Sequence, residues 1–188
     1  EVSECAASTA YYCEAWTDTW QAAPGVFGNI LLTRDLRISQ DHAFLRTIDA
    51  FQNLSDDEVT FTVSYQGQAR PANSPAGSLD VVADASSEGD LESRDNWVIF
   101  GDLQAPDQNP AVLMVLNGIG GQRPHDLSYL RGDLMFSFDL TVASGETAYL
   151  ALFAEVGAGQ NAVAADAASL GGGAPNAFAD LDQDTLDR

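Results

Sequence analysis

The chain is expected to be mostly β: an antiparallel β-sandwich, immunoglobulin-like or jelly-roll-like, followed by a short C-terminal helical tail. Three observations carry that expectation. First, Val59, Phe61, Val63 and Tyr65 alternate with Thr60, Thr62 and Ser64, and Leu134, Phe136, Phe138, Leu140 and Val142 alternate with Met135, Ser137, Asp139 and Thr141. A period of two sets one series on a buried face and the other in water. Second, clusters of Gly, Pro, Asn, Asp and Ser recur about every ten residues, the spacing of turns in a sandwich. Third, the pattern changes after Gly157 to an Ala-rich stretch, 160–170, with good helix propensity.

Residues 1–24 mix small residues with Tyr11, Tyr12, Trp16 and Trp20. A helix would put Trp16 and Trp20 on one face. Thr and Tyr suit extended structure equally, so the conformation of this arm stays open. Residues 29–38 and 44–51 read as strands, and 53–58 is a polar, acidic turn. With 59–65 it completes an expected antiparallel hairpin. Pro71 and Pro75 make 67–78 a loop. Short strands at 79–85 and 97–100 flank an acidic loop, 86–96. A loop with two prolines, 102–110, leads to 111–116, whose unbroken apolar run suits a strand buried on both faces. Glycines make 117–124 a flexible turn. Residues 134–142 and 147–156, joined by 143–146, read as a second long hairpin. Glycines at 171–173 stop the helix, and Asp180 or Asp182 could cap a final short one. The expected organisation is an arm over 1–24, a sandwich over 25–157 and a helical tail over 158–188.

Charge narrows the function. There are 28 acidic residues against eight arginines and no lysine, a net charge of −20 over 188 residues. That balance excludes nucleic acid, whose binding neutralises phosphates, and disfavours anionic lipid. It favours solubility, cations or a basic partner. No apolar run has the length of a membrane helix. The first residue is Glu1, not Met, so the chain reads as processed, and Cys5 and Cys13 could close a small disulfide loop, which persists in an oxidising compartment. Both point to an exported, extracellular or cell-surface location.

Candidate chemistry is sparse. Asp180, Asp182 and Asp184 alternate like the first ligands of a calcium loop, although Thr185 stands where such a loop needs Gly. Carboxylates helping a helix start is the alternative. The loop with Asp84, Glu88, Asp90, Glu92 and Asp95 is a second Ca²⁺ candidate, with a solvated loop as its alternative. His42 and His125 could act as bases, but no nucleophile motif accompanies them. Asn53-Leu54-Ser55 matches a glycosylation acceptor.

Asn53 between two strands, Asp95-Asn96-Trp97-Val98 after an acidic loop, and Ala143-Ser144-Gly145-Glu146-Thr147 before a closing strand make 44–156 resemble the β-sandwich modules of large bacterial surface and secreted proteins. The resemblance implies an extracellular binding or scaffolding role and transfers no catalytic residue. The expectation is therefore a non-catalytic structural or adhesive module, a subunit of a cell-surface or filamentous assembly. Its partners would be other proteins or copies of itself, joined through sheet edges or through Tyr11, Tyr12, Trp16 and Trp20. The alternatives are a Ca²⁺-assisted carbohydrate-binding domain, with Trp16, Trp20 and Trp97 as stacking faces, and a secreted hydrolase.

Overall fold

The computed structural model describes residues 2–4, 11–20, 30–39, 44–68, 80–88, 91–105, 109–118, 121–130 and 133–172, with backbone only for 2–4, 11–20, 39 and 68. Eleven strands and one helix follow in order among them: β1 Val2–Glu4, β2 Tyr11–Trp20, β3 Ile30–Ser39, β4 Phe44–Asn53, β5 Val59–Gln68, β6 Asp80–Asp84, β7 Trp97–Gly101, β8 Ala111–Val115, β9 His125–Leu130, β10 Asp133–Val142, β11 Thr147–Gly157 and α1 Gln160–Gly171. The strands form two antiparallel sheets, one of eight strands and one of three. The mostly β expectation holds, with one short helix behind the strands. The chain divides into two compact units: the described residues up to Val63 with Asp139–Ala151, and Ser64–Phe138 with the residues from Leu152 through α1.

The first unit holds β1-β2-β3-β4 and then the start of β11. The arm left open by sequence is therefore β-structure in β1 and β2. The end of β4 bonds to the start of β11: Asn53 N–H donates to Glu146 O at 3.0 Å, and Gly145 N–H to Asn53 O at 3.0 Å. Gly145 takes φ 74° there, a conformation glycine adopts without strain. Across the smaller sheet, Thr60 bonds Thr141 at 2.9 Å and Thr62 donates to Asp139 at 2.7 Å, lacing the exposed faces of β5 and β10. Their other faces bury Val59, Phe61, Leu140 and Val142. Phe51 of β4 meets Phe61 of β5 with ring centroids 5.7 Å apart, so the two sheets share a core.

Neither expected hairpin forms. β4 belongs to the larger sheet and β5 to the smaller; β10 belongs to the smaller sheet and β11 to the larger. Each turn carries the chain across the core. Turn chemistry marks where a chain reverses but leaves open whether the next strand lies alongside or opposite. What fixes the crossing is Asn53, which is wholly buried. Its Nδ2 donates to Asp57 O at 2.7 Å and to Val142 O at 3.0 Å; its Oδ1 accepts from Ser55 N at 2.9 Å and Ser55 Oγ at 2.6 Å. One side chain thus binds both crossings. The same burial removes Asn53 as a glycosylation acceptor in the folded chain.

The second unit holds the end of β11 and then β8-β7-β6, with β9 beside the start of β10. β9, His125–Leu130, covers a stretch to which the sequence reading assigned no element. β8 is buried as expected. By cross-strand register, Val98, Phe100 and Val112 share one face, on which Phe100 stacks on Tyr129 at 4.3 Å. Trp97, Ile99, Leu113, Val115, Phe153 and Glu155 share the other. α1 packs against β7 and β8, and its buried side is Val163, Ala167, Leu170 and Gly171. A Cβ on Gly171 would lie 2.9 Å from Trp97 Cδ1, so the close approach itself requires glycine.

Candidate functional site

Charge inside a strand is the feature that singles out β3 and β4. Together they carry Arg34, Asp35, Arg37, Arg46 and Asp49, three of the chain's eight arginines. Arg46 and Asp49 are 0% and 1% exposed. Burying such groups is costly unless they are paired. Arg34 lies opposite Asp49 in the register, and its guanidinium grips the carboxylate by two bonds, Nε to Oδ1 at 2.5 Å and NH2 to Oδ2 at 2.6 Å. Two parallel bonds fix orientation as well as distance. On the other face of the same strands, Arg37 stands opposite Arg46. Asp35 relieves that like-charge pairing by accepting from Arg37 Nε at 2.8 Å.

The face with Arg34 and Asp49 runs from core to water. Ile30 at one end of β3 is 3% exposed and Ile38 at the other is 55%. Between them Leu32, Arg34 and Leu36 are half-buried, as are Leu45 and Thr47 across from them on β4. The result is a half-exposed surface that combines apolar area, one hydroxyl and a guanidinium held in place by the buried Asp49. Such a surface suits a ligand with apolar C–H faces and neighbouring hydroxyls. Sequence reading passed over it by treating 29–38 and 44–51 as strands alone. The signal was there: Arg34 falls between Leu32 and Leu36 on one strand face, and Asp49 between Ile48 and Ala50 in sequence.

The backbone register of β2 sets Trp16 opposite Arg34 and Tyr12 opposite Ile38. The side chains of Tyr11, Tyr12, Cys13, Trp16 and Trp20 lie outside the described residues. So do Cys5, His42, Asp90, Asp180, Asp182 and Asp184, and with them the disulfide, one calcium motif and the final helix.

In the acidic loop the described carboxylates bind the loop itself. Asp84 Oδ1 accepts from Ser86 Oγ at 2.8 Å, and Asp95 accepts from Ser86 N at 3.0 Å and Glu92 N at 2.9 Å. Glu88 and Glu92 both pair with Arg94. Among the described residues no three of His, Cys, Asp and Glu stand together to hold a metal ion. Trp97 is half-buried beneath the end of α1, where Asn96 Nδ2 donates to Gly171 O at 3.1 Å. His125 sits on β9 with Nδ1 3.0 Å from Asp126 Oδ2.

A second group of acids was not foreseen. Glu155 on β11 is 5% exposed, and its Oε2 has no hydrogen-bond partner. Burial, then the charge of Asp166 on α1, then a side-chain hydrogen bond with Asp166 push its carboxyl up to about 7.

No family model and no curated protein matches the chain. Solved structures do. A protein assigned as a kojibiose phosphorylase, from the human microbiome, superposes over 93% of this chain with TM-score 0.55 at 10% identity, using 22% of its own length. A galactose mutarotase-like protein of Clostridium acetobutylicum superposes over 83% with TM-score 0.52 at 9% identity, using 65% of its length. The heparan sulfate lyase HepC of Pedobacter heparinus, as a mutant, superposes over 85% with TM-score 0.51 at 11% identity, using 22% of its length. The chain thus spans less than two thirds of each. At these identities the likeness is one of fold. It corrects the sequence reading: the sandwich is of a kind found in carbohydrate-active enzymes, so the expected non-catalytic structural or adhesive module, and with it the expectation that the chain is no enzyme, does not stand. The resemblance to bacterial surface modules holds only at the level of a β-sandwich.

Proposed function

We propose that this chain is the β-sandwich part of a carbohydrate-processing protein, and that a neutral saccharide binds on the open face of β3 and β4. The observation that carries this is the Arg34–Asp49 pair, held by two short bonds where the face passes from core to water. Saccharide hydroxyls accept from cationic donors, and the 30%-exposed Arg34 guanidinium, held in place by the buried Asp49, is a fixed group for them to meet. Leu32, Leu36 and Ile38 offer apolar area for the C–H face of a ring. The fold likeness to a mutarotase-like protein and a phosphorylase supports the substrate class. A net charge of −20 repels polyanionic saccharides and so favours neutral ones.

Titration calorimetry with galactose, glucose, kojibiose and a heparan sulfate oligosaccharide, beside polarimetry of α-galactose mutarotation, tests the reading. A neutral sugar should bind, and Arg34→Gln should weaken it about ten-fold, the loss of one charge-assisted bond. Heparan sulfate binding better than every neutral sugar, or no sugar binding to the folded chain, would overturn it.

A further inference from the structure

We infer that α1 is a proton-operated clasp, docked on the sheet while the buried Glu155 holds its proton beside Asp166 and loosened when that proton leaves. The inference rests on placement. Glu155 is on the β11 face that α1 covers, 5% exposed, with its Oε2 unpartnered. The carboxyl it meets across the interface is that of Asp166, the single ionisable residue of α1. The strands packed beneath the helix, β7 and β8, carry no ionisable residue, and β11 carries Glu155 and, near its other end, Tyr149. Within this unit no cation from those elements offsets a second negative charge. Burial first, and then the Asp166 carboxylate, oppose a negative charge on Glu155.

The sign follows from the direction of the shift. Glu155 titrates near 4.5 when exposed and at about 7 when the helix is docked. Its contribution to docking is complete below 4.5 and is lost as pH rises through 7. The helix-opening equilibrium should therefore rise up to about ten-fold per pH unit between those values, about 300-fold in all. Other contacts resist release. Val163 and Ala167 are 0% exposed, Leu170 is 4% exposed, and Asn96 bonds Gly171 O. The expected state above pH 7 is thus a helix that opens more often while the sandwich stays folded.

Hydrogen exchange of the α1 amides, corrected for intrinsic rates from pH 5 to 8.5, reads the opening directly. The chain should show the rise and Glu155→Gln should not, since its amide still donates to Asp166 without ionising. Carbon-13 carboxyl NMR of the unsubstituted chain gives the Glu155 midpoint independently of how any variant folds. Asp166→Asn should lower that midpoint. A Glu155 midpoint below 5, or α1 exchange with the same pH dependence in Glu155→Gln as in the parent, would overturn the clasp.

Discussion

In the first unit a buried acid, Asp49, faces an arginine; in the second a buried acid, Glu155, faces another acid. Asp49 itself is answered by the two bonds from Arg34. Asn53 uses both hydrogens of its amide and its oxygen, and the hydroxyls of β5 and β10 are bonded across the sheet. Around Glu155 the setting is apolar and close-packed, with Val163, Ala167, Ile99 and Leu113 all 0% exposed. The contrast teaches that burial alone does not define a charged group's role. An answered charge is a fixed part of the structure and can orient a ligand. A charge that faces its like is held by a proton, so its state depends on pH.

One of the two most damaging breaks of this contrast is expected at Asn53. Asn53→Ala takes away the side-chain partners of Val142 O and Ser55 N, while Asp57 O keeps Ser55 Oγ, and Val142 is buried. Denaturant unfolding should show a loss of about 3 kcal/mol, from two groups at about 1–3 kcal/mol each, the buried one costing the most. A loss under about 1 kcal/mol would mean that the crossings are held by the core alone.

How far the sequence reached can be judged from the same residues. The alternation of 59–65 and 134–142 located β5 and β10 because their partition between core and water is local. Their pairing with each other is a contact across Thr60 and Thr141, and no local pattern encodes it. Asn53 was noticed as a feature between strands, yet its four bonds run to both crossings, one of them to a residue far along the chain. The site was the least legible part. Asp49 and Arg34 become a pair only through the β3–β4 register, and Glu155 meets Asp166 only because α1 folds back over β8 and β7. The acidic loop is legible only in part for a related reason: Asp95 looks free in sequence but accepts from the loop's own backbone N–H groups.

Removing each buried acid in turn sharpens the comparison. Asp49→Ala leaves the Arg34 guanidinium without its carboxylate. The loss should be about 3 kcal/mol, the low end for a broken buried pair, because Arg34 is 30% exposed and can recover water. Replacing both residues by leucine should restore most of it. Glu155→Gln should act in the opposite direction, gaining about 3 kcal/mol at pH 8 and nothing at pH 4.5. If both variants destabilise at pH 8, the two acids are alike after all, and the contrast fails.

The smallest effect tests the packing half of the contrast. Gly171→Ala adds one methyl where Trp97 Cδ1 would be 2.9 Å away and Asn96 Nδ2 3.0 Å away. Neither neighbour is the free end of a flexible chain: Trp97 lies in β7, and Asn96 is tied to Gly171 O. Overpacking of this kind costs about 2 kcal/mol. Gly67→Ala is the matched control. That glycine lies in β5 with nothing within 4 Å of its would-be methyl, and its substitution should gain about 0.5 kcal/mol by lowering the entropy of the unfolded chain. The same chemical change should therefore have opposite signs at two positions of one unit. Equal signs would mean that α1 rests loosely on β7 at every pH, and the proton on Glu155 would then have no tight interface to control.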